Sequence, residues 1–237
     1  MTSLWQLIKE DFLQPVKKDP AIKNEFEVLF NYPGVWALVN YRIANRIYKK
    51  GFKLLARAIM GITQIITNID IHPACHIGRR VFLDHAFGVV IGETAVVEDD
   101  VLIYQGVTLG GVSLDRDKKR HPTVKSGSVI GAGAKVLGDI VIEQNCRIGS
   151  NSVVVKSVPK DSTAVGIPAR VIQKGRDKSP LSHNKIPDIN KELFIYLFKR
   201  VQMLEEVINS KHKDSKLLEK DHELEAIYEE FLKSVKE

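Results

Sequence analysis

Hydrophobic positions follow a helical spacing over roughly the first 68 residues. The segment VWALVNYRIANRIYKKG predicts a helix that ends at Gly51, because glycine readily adopts the conformation that closes a helix. Further helices are predicted before it, at the N-terminus, and after it, over about Phe52–Thr67. Their apolar stripes consist of Leu4, Leu7, Ile8 and Phe12 in the first helix and of Leu55, Ile59, Ile62 and Ile66 in the last.

In the middle of the chain the hydrophobic spacing changes to six residues, which fits neither an amphipathic helix nor an ordinary strand. Thirteen positions at this spacing are aliphatic, and a chance match with free choice of register has a probability of about 10⁻³. The two blocks are Ile71, Ile77, Leu83, Val89, Ala95, Val101 and Val107, followed by Val124, Ile130, Val136, Ile142, Ile148 and Val154.

A repeat of six predicts a parallel β-helix, in which each hexapeptide forms one side and three sides complete a coil of about 18 residues that rises about 4.8 Å. The aliphatic side chains stack inside the coil. The residue two positions before each aliphatic residue lies at a corner, where the chain turns from one side of the coil to the next. These corner residues are often small: Cys75, Ser128, Ala134, Cys146 and Ser152. The two cysteines are therefore interpreted as small corner residues rather than redox groups. The repeat by itself does not fix the handedness of the coil.

The two blocks of the repeat are 17 residues apart, which is not a multiple of six. The segment GGVSLDRDKKRH is therefore predicted to leave the coil as a polar loop at residues 111–121, and such loops commonly carry function. The predicted fold class is α+β, with a helical domain at residues 1–68, the β-helix at 69–175 and a helical extension at 186–237.

The extension shows the alternating three- and four-residue spacing of a coiled-coil seam. A hairpin on its own protomer and a contact between protomers both fit this pattern. The two predicted helices carry Phe194, Leu197, Val201, Leu204 and Ile208, and then Leu224, Tyr228, Phe231 and Val235.

The formal charge of +6 does not indicate a nucleic-acid partner, because the basic residues are scattered and are not interleaved with aromatic ones. A groove for a phosphorylated cofactor needs only a few of these charges.

No apolar run is long enough to span a membrane, the N-terminus does not resemble a signal peptide, and two cysteines form no disulfide framework. A cytoplasmic protein is predicted.

Two polar residues of the repeat are predicted to share a corner in successive layers. Asp70 precedes the side that begins with Ile71, and His85 ends the side that carries Leu83. An imidazole beside a carboxylate is the arrangement of a general base, worth ~10²–10⁴-fold in rate. A solvent-exposed turn histidine fits the residues equally well.

A metal site is the competing reading of the same stretch. His72, His76 and His85 are close in sequence, and three imidazoles can hold zinc. They occupy different positions within their hexapeptides, however, so no common centre and no metal are predicted. At the end of the loop, Arg120 can bind a carboxylate through two hydrogen bonds with His121 assisting, or both can belong to a solvated basic loop.

Five stretches of the chain together resemble the serine O-acetyltransferases, one of the hexapeptide-repeat acyltransferase families. They are DIHPACHIGRRVFLDHAFGVVIGETAVVEDDVLIYQGVTLGG, KRHP, GAGAKVLGDI, IGSNSVVVKSVP and VGIPAR. The combination of DIHP, LDH and RHP is the specific part. The resemblance covers about residues 19–172, including DPA at Asp19–Ala21, and implies a left-handed coil.

The resemblance implies acetyl transfer from acetyl-CoA to the serine hydroxyl, giving O-acetylserine for cysteine synthesis, with acetyl-CoA as co-substrate and no metal. Site roles follow from it position by position. His85 would be the general base with Asp70 as its partner, Asp84 and Asp19 would bind the substrate ammonium, Arg120 and His121 its carboxylate, and Gly110, Gly111, Ala132 and Arg147 would contact CoA between protomers.

The resemblance also implies a homotrimer or a dimer of trimers, and feedback inhibition by cysteine. Here the N-terminal helical domain is short, and the helical C-terminal extension departs from the family. Association with O-acetylserine sulfhydrylase is not expected, because the chain ends in FLKSVKE rather than in isoleucine. Alternative functions are an acetyltransferase for homoserine or a sugar, a zinc enzyme of the γ-carbonic-anhydrase kind, and a non-catalytic scaffold.

Overall fold

The computed structural model describes residues 2–115, 117–174 and 189–209. The chain divides into two compact units between Ile186 and Pro187. The first unit holds helices followed by short strands, and the described part of the second is a single helix, α5 (Ile189–Asn209). Among the described residues, no helix is long and apolar enough to cross a lipid bilayer.

Four helices precede the strands, in the region where the hydrophobic spacing predicts them. Ser3 caps the first, because its hydroxyl accepts a hydrogen bond from the Gln6 N–H. The third ends before Gly51, whose φ of +96° is easy only for glycine, so this predicted helix end is confirmed. The helices are α1 (Leu4–Lys18), α2 (Val28–Asn31), α3 (Pro33–Lys49) and α4 (Lys53–Thr67), with a 3₁₀ turn at Glu25–Glu27.

Helix α4 packs along α3 with a face of smaller side chains than its apolar stripe offers. Ala56, Met60, Thr63 and Thr67 are buried, and the Thr63 and Thr67 hydroxyls each donate to the carbonyl four residues earlier. Three residues of the predicted stripe stay exposed: Leu55, Ile62 and Ile66. Small side chains at the contact allow two helices to approach closely, which explains the choice of face.

Beyond the helices, consecutive strands fall in turn on three parallel sheets, which form the three sides of a coil. The strands are β1 (Asp70–Ile71), β2 (His76–Ile77), β3 (Phe82–Leu83), β4 (Val90–Ile91), β5 (Val96–Val97), β6 (Leu102–Ile103), β7 (Thr108–Gly110), β8 (Thr123–Val124), β9 (Val129–Ile130), β10 (Lys135–Leu137), β11 (Val141–Ile142), β12 (Arg147–Ile148), β13 (Val153–Val154), β14 (Ser162–Gly166) and β15 (Ala169–Lys174). The first sheet has the order β1-β4-β7-β10-β13, the second β11-β8-β5-β2, and the third β15-β14-β12-β9-β6-β3.

The first coil is two residues longer than the repeat predicts. Val90 pairs with Thr108, eighteen positions later, but Asp70 pairs with Val90, twenty positions later. The turn between β3 and β4 holds the additional residues. His85 and Ala86 there both adopt left-handed backbone conformations, with φ of 55° and 61°.

This insertion shifts the phase of the repeat, so part of the predicted core assignment is wrong by two positions. After the insertion the buried strand residues are Ile91, Val97, Ile103 and Leu109. The predicted strand residues Val89, Ala95, Val101 and Val107 instead occupy the corners, where they are also buried. The pattern cannot separate the two phases, because positions two apart are both apolar here.

A second insertion interrupts the coil where the sequence predicts the loop. Val96 pairs with Thr123, nine residues more than one regular coil away, and the excess lies between Gly110 at the end of β7 and Thr123 at the start of β8. Regular spacing then resumes, with Thr123 paired to Val141. The coil ends in the antiparallel pair of β14 and β15.

Both cysteines are buried in corner positions, as predicted from their place in the repeat. Burial raises the pKa of the Cys75 thiol to about 12 and also raises the pKa of Cys146. The Cys146 thiol lies 3.0 Å from the Pro159 carbonyl oxygen, which accepts its hydrogen bond. Protonated, enclosed thiols of this kind are inert, which agrees with a packing role.

A buried arginine joins the helical region to the first coil. Arg42 of α3 forms an ion pair with Asp11 of α1, with 3.0 Å between Nε and Oδ2. Its remaining donors reach the carbonyl oxygens of Ile77 and Gly78, at 2.5 and 2.6 Å. Because the guanidinium donates to Asp11 of α1 and also to two carbonyl groups at the end of β2, one side chain fixes both helices on the coil.

The second unit is described here by α5 alone. Its helical conformation agrees with the first of the two predicted seams, and the residues of that seam, Phe194, Leu197, Val201, Leu204 and Ile208, are each about half exposed. The second predicted seam, Leu224 to Val235, lies outside the described residues.

Candidate active site

The predicted base, its partner and the predicted serine-binding residues lie at two corners of the coil, on opposite edges of the sheet that contains β1, β4 and β7. The first, called the acidic corner, consists of Asp19, Asp70 and the turn Asp84–Val89. The second, called the basic corner, consists of Glu93–Thr94 and Arg120–His121. Both corners are built on the two insertions that interrupt the repeat.

The inserted turn is what exposes His85. The Ala86 N–H donates to the Asp84 carbonyl at 2.6 Å, and the Phe87 N–H donates to the His85 carbonyl at 2.9 Å. Two successive tight turns of this kind push the chain outward, so the His85 side chain is exposed while Ala86 beneath it is fully buried. Left-handed conformations at two non-glycine residues cost energy, and such strain is concentrated at functional sites.

The structure brings Asp70 and His85 to one corner in successive layers, as the repeat predicts. The Asp70 N–H donates to the Val89 carbonyl at 2.9 Å, and the Gly88 N–H donates to the Asn68 carbonyl at 2.8 Å. The turn that carries His85 therefore lies directly on the start of β1. Between the two side chains, the described structure has no hydrogen bond.

Asp19 reaches this corner from the end of α1 and is held there from two sides. The Tyr32 hydroxyl donates to its Oδ2 at 2.5 Å, and the Ala21 N–H donates to its Oδ1 at 2.8 Å. These bonds lower the pKa of Asp19, and nearby His85 lowers it further. Asp19 thus stays ionised as a fixed negative charge.

Asp84 adds a second carboxyl to the acidic corner under different conditions. It is half-buried, and this burial raises the pKa of Asp84, while the charge of His85 lowers it and that of Asp19 raises it again. Two tyrosines close the corner: burial and the charges of both aspartates raise the pKa of Tyr104, and burial with the Asp19 hydrogen bond raises that of Tyr32. The corner therefore concentrates negative charge next to one imidazole.

At the basic corner, the end of the long loop is tied to the turn between β4 and β5. The Arg120 guanidinium donates to Glu93 with 2.7 Å between Nη2 and Oε2. His121 is buried against this turn, and its Nδ1 lies 2.8 Å from the Thr94 hydroxyl. Burial lowers the pKa of His121, and the Arg120 charge lowers it further, so the imidazole is neutral at pH 7.

The four residues predicted to contact CoA fall into two groups. Gly110 ends β7 and Gly111 begins the loop, so both belong to the edge of the basic corner. Ala132 lies in the turn between β9 and β10, two layers beyond the turn of the acidic corner, and Arg147 begins β12 on the adjoining sheet. The structure does not bring these two groups together within one chain.

The histidines of the metal alternative do not converge. His72 follows β1, where its Nδ1 accepts a hydrogen bond from the Ala74 N–H, and His76 belongs to β2 on the next side of the coil. In the part of the chain that the structure describes, no group of three or more histidine, cysteine, aspartate or glutamate residues could hold a metal ion.

Four residues of these corners carry no signal that the sequence pattern could reveal. Tyr32 and Tyr104 are ordinary aromatic residues in a helical and a strand region, and Glu93 and Thr94 follow a glycine in a generic hexapeptide. Each acts through a contact with a residue far away in sequence.

The geometry can be compared with known proteins. The family model described as bacterial transferase hexapeptide (six repeats) matches residues 121–156. The repeat and the two charged corners together define a hexapeptide-repeat transferase. A serine acetyltransferase of Synechococcus elongatus is 45% identical over 204 residues, which cover 86% of this chain and 83% of that relative. The chain belongs to the serine acetyltransferase family.

Two solved structures extend the likeness to the fold. The serine acetyltransferase of Brucella abortus in complex with coenzyme A is 43% identical, with a TM-score of 0.68 over 72% of this chain and 68% of that one. The Neisseria gonorrhoeae enzyme in complex with serine is 39% identical, with a TM-score of 0.66 over 70% and 68%. Each match covers more than two thirds of both chains, so the likeness extends beyond the repeat.

Proposed function

We propose that this protein transfers the acetyl group of acetyl-CoA to the hydroxyl of L-serine, giving O-acetyl-L-serine for cysteine biosynthesis. The observation that carries the proposal is the acidic corner, where an exposed imidazole stands beside two carboxyl groups on an inserted turn. Its relatives support this reading, since they are serine acetyltransferases, and solved structures among them hold coenzyme A or serine.

His85 is the general base. A serine hydroxyl is a poor nucleophile until its proton is removed during attack on the thioester carbonyl, and an exposed imidazole can take that proton. Asp70, in the adjoining layer of the same corner, stabilises the imidazolium that forms. When the tetrahedral intermediate collapses, the C–S bond breaks and the imidazolium returns its proton to the departing CoA sulfur.

The acidic corner selects an amino acid as the acceptor. Asp19 and Asp84 bind the substrate ammonium, which compensates the negative charge that the two carboxyl groups bring together. This compensation is largest for Asp84, because burial makes its ionised form costly without a cation nearby. An uncharged acceptor such as a hexose offers no such compensation.

The basic corner binds the substrate carboxylate through Arg120 and His121. It lies on the opposite edge of the same sheet from His85, so one chain does not surround a molecule as small as serine. We therefore propose that the site is completed between neighbouring copies of a homotrimer of left-handed coils, where the acidic corner of one copy faces the basic corner of the next.

The same arrangement places CoA between copies. Gly110 and Gly111 line the basic edge, and Ala132 and Arg147 line the acidic side, so a long cofactor in the groove between two coils contacts both groups. The Gly111 N–H donates to no acceptor among the described residues, which leaves it available to the oxyanion of the intermediate.

The helical region supports assembly of two such trimers. Three aromatic side chains on its outer surface are largely exposed: Trp5 at 80%, Phe26 at 70% and Phe30 at 84%. Exposed apolar surface of this size is commonly buried in a protein interface. A dimer of trimers through α1, the 3₁₀ turn and α2 would cover these three side chains.

The test is release of CoA from acetyl-CoA by the purified full chain, measured with L-serine, L-homoserine and a hexose in parallel. Serine-dependent release that depends on His85 is the expected result. Release with homoserine or the hexose alone would assign a different acceptor to the same fold and base. If none of the three acceptors supports release of CoA, the proposed activity is overturned and a non-catalytic scaffold is favoured.

A further inference from the structure

Thr94 makes a set of hydrogen bonds to the end of the long loop that exceeds what a turn residue needs. Its Oγ1 accepts from the Arg120 N–H at 3.0 Å and from the His121 N–H at 3.1 Å. The same hydroxyl lies 2.8 Å from His121 Nδ1, and the Thr94 N–H donates to that nitrogen at 3.2 Å. One residue thus contacts both the backbone and the ring of the loop end.

These bonds determine where the proton of the His121 ring lies. A hydroxyl oxygen has two lone pairs, and both are taken here by backbone N–H donors. The hydroxyl hydrogen of Thr94 must therefore point to Nδ1, which then accepts from two donors. A neutral imidazole whose Nδ1 accepts carries its proton on Nε2.

Two glycines leave room for the Nε2 side of the ring. A Cβ atom on Gly92 would lie 2.0 Å from both Nε2 and Cδ2, so this side of the ring occupies the space that a side chain at position 92 would fill. A Cβ atom on Gly111 would approach Nε2 to 3.2 Å. His121 is only 8% exposed, yet its Nε2–H has no hydrogen-bond partner among the described residues. A buried donor without a partner indicates that a ligand supplies the acceptor.

The neighbouring residue holds the other member of the basic corner. Glu93 binds the Arg120 guanidinium through Nη2, and among the described residues the other guanidinium donors have no partner, which leaves them for an incoming carboxylate. The adjacent pair Glu93–Thr94 therefore fixes the adjacent pair Arg120–His121 at the point where the loop returns to the coil.

We propose that Thr94 is a positioning residue that holds His121 in its Nε2–H tautomer, so that the ring acts as a fixed hydrogen-bond donor to the carboxylate of the amino-acid substrate. Without the Thr94 hydroxyl, only the longer 3.2 Å bond from the Thr94 N–H still favours an accepting Nδ1, so part of the neutral population carries its proton on Nδ1. Nε2 then presents a lone pair to the carboxylate and repels it. The proposal rests on the proposed function for its ligand, but the tautomer is a property of the protein alone.

The tautomer is measured by NMR on the full chain with ring-15N-labelled histidine, and a His121→Gln variant identifies the His121 signals. In the wild-type protein at pH 7.5 we expect a protonated Nε2 and an unprotonated Nδ1. Thr94→Val should give a mixture of both tautomers, and Thr94→Ser should restore the wild-type signals. Thr163→Val, the same exchange at a coil residue remote from the corner, should change nothing. A protonated Nδ1 in the wild-type protein would overturn the proposal, whatever the variants do.

Kinetics then connect the tautomer with the substrate. For Thr94→Val at pH 7.5 we expect the KM for L-serine to rise roughly tenfold, the size of one lost hydrogen bond to a charged group, with the KM for acetyl-CoA unchanged. The defect should shrink as the pH falls, because a protonated imidazole carries hydrogen on both nitrogens. A defect that is the same at every pH, or one that Thr94→Ser shares, would show a merely structural role. If the wild-type protein shows no serine-dependent turnover, the proposed function fails while the NMR result still decides the tautomer.

Discussion

Tyr32 donates a hydrogen bond to Asp19, with 2.5 Å between the phenolic oxygen and Asp19 Oδ2. The two residues come from different elements, since Asp19 caps α1 and Tyr32 precedes α3. The bond holds a carboxylate from the helical region against a turn of the coil. The short N-terminal helices thus contribute directly to the acidic corner, besides covering the first layer of the coil.

Removal of that hydroxyl should weaken serine binding without stopping the chemistry. In Tyr32→Phe the bond that lowers the pKa of Asp19 is lost, and the carboxylate becomes free to rotate. We expect the KM for L-serine to rise about 3- to 10-fold, which corresponds to one ordinary hydrogen bond, with kcat nearly unchanged. Steady-state kinetics at pH 7.5 measure this, and an equal fall in kcat with constant KM would contradict the assignment.

Replacement of the exposed histidine tests the base. We expect His85→Ala to lose ~10²–10⁴-fold in kcat, the usual value of positioned acid–base catalysis. Binding of CoA, followed by isothermal titration, should stay within twofold of the wild-type value because His85 lies on the turn rather than on the proposed CoA groove. Unchanged turnover would remove His85 from the mechanism.

A substitution at Gly92 tests whether the position of the His121 ring matters for serine binding. A Cβ atom there would overlap the ring, so Gly92→Ala should displace the loop end and raise the KM for L-serine more than tenfold, as expected when a charged contact is lost. Gly61→Ala on α4 is the matched control, since a Cβ atom there meets nothing within 4 Å. The far-ultraviolet circular dichroism of both variants should match the wild type, and an active Gly92→Ala would show that the ring can move without loss.

The buried ion pair between α1 and α3 should dominate the attachment of the helices. Asp11 and Arg42 are 1% and 5% exposed, so Asp11→Asn leaves a charge that is buried and poorly paired. We expect the free energy of unfolding to fall by about 3 kcal/mol, measured by urea denaturation at constant protein concentration. Glu10→Gln, next in sequence and paired with Arg79 near the surface, should lose far less. Equal losses would mean that burial does not decide the value of the pair.

Stability should fall on mild acidification. Burial lowers the pKa of His72 and of His121, so in the folded chain both bind protons at lower pH than in the unfolded chain, where the pKa is near 6.5. The unfolded state therefore takes up more protons as the pH falls through about 6.5, and the folded state loses stability. We expect the Tm to decrease from pH 7.5 to about pH 5.5, and to decrease less in His72→Asn, whose amide oxygen can still accept from the Ala74 N–H. If the Tm of both proteins falls equally with pH, His72 does not contribute to the loss of stability.

The sequence by itself determined the kind of fold. Helix ends such as Gly51 follow from local backbone preference, and a period of six can be satisfied only by short sides that stack their aliphatic residues, as Ile71, Ile77 and Leu83 do. The loop at residues 111–121 was evident as well, because any insertion in a strict repeat must leave the coil. The positions of Asp70 and His85 in the six-residue repeat also predicted that the two residues share a corner.

Only the tertiary structure decided the phase of the coil and the contacts that each site residue makes. The shift at His85–Ala86 is invisible in the pattern because Val89 and Ile91 are both apolar, so either could face inward. The contacts of Tyr32 with Asp19 and of Thr94 with His121 join residues 13 and 27 positions apart through side chains of common type. Periodicity reports which residues are buried, because burial repeats with the backbone. A hydrogen bond between distant residues has no period, so it becomes visible only when the chain has folded.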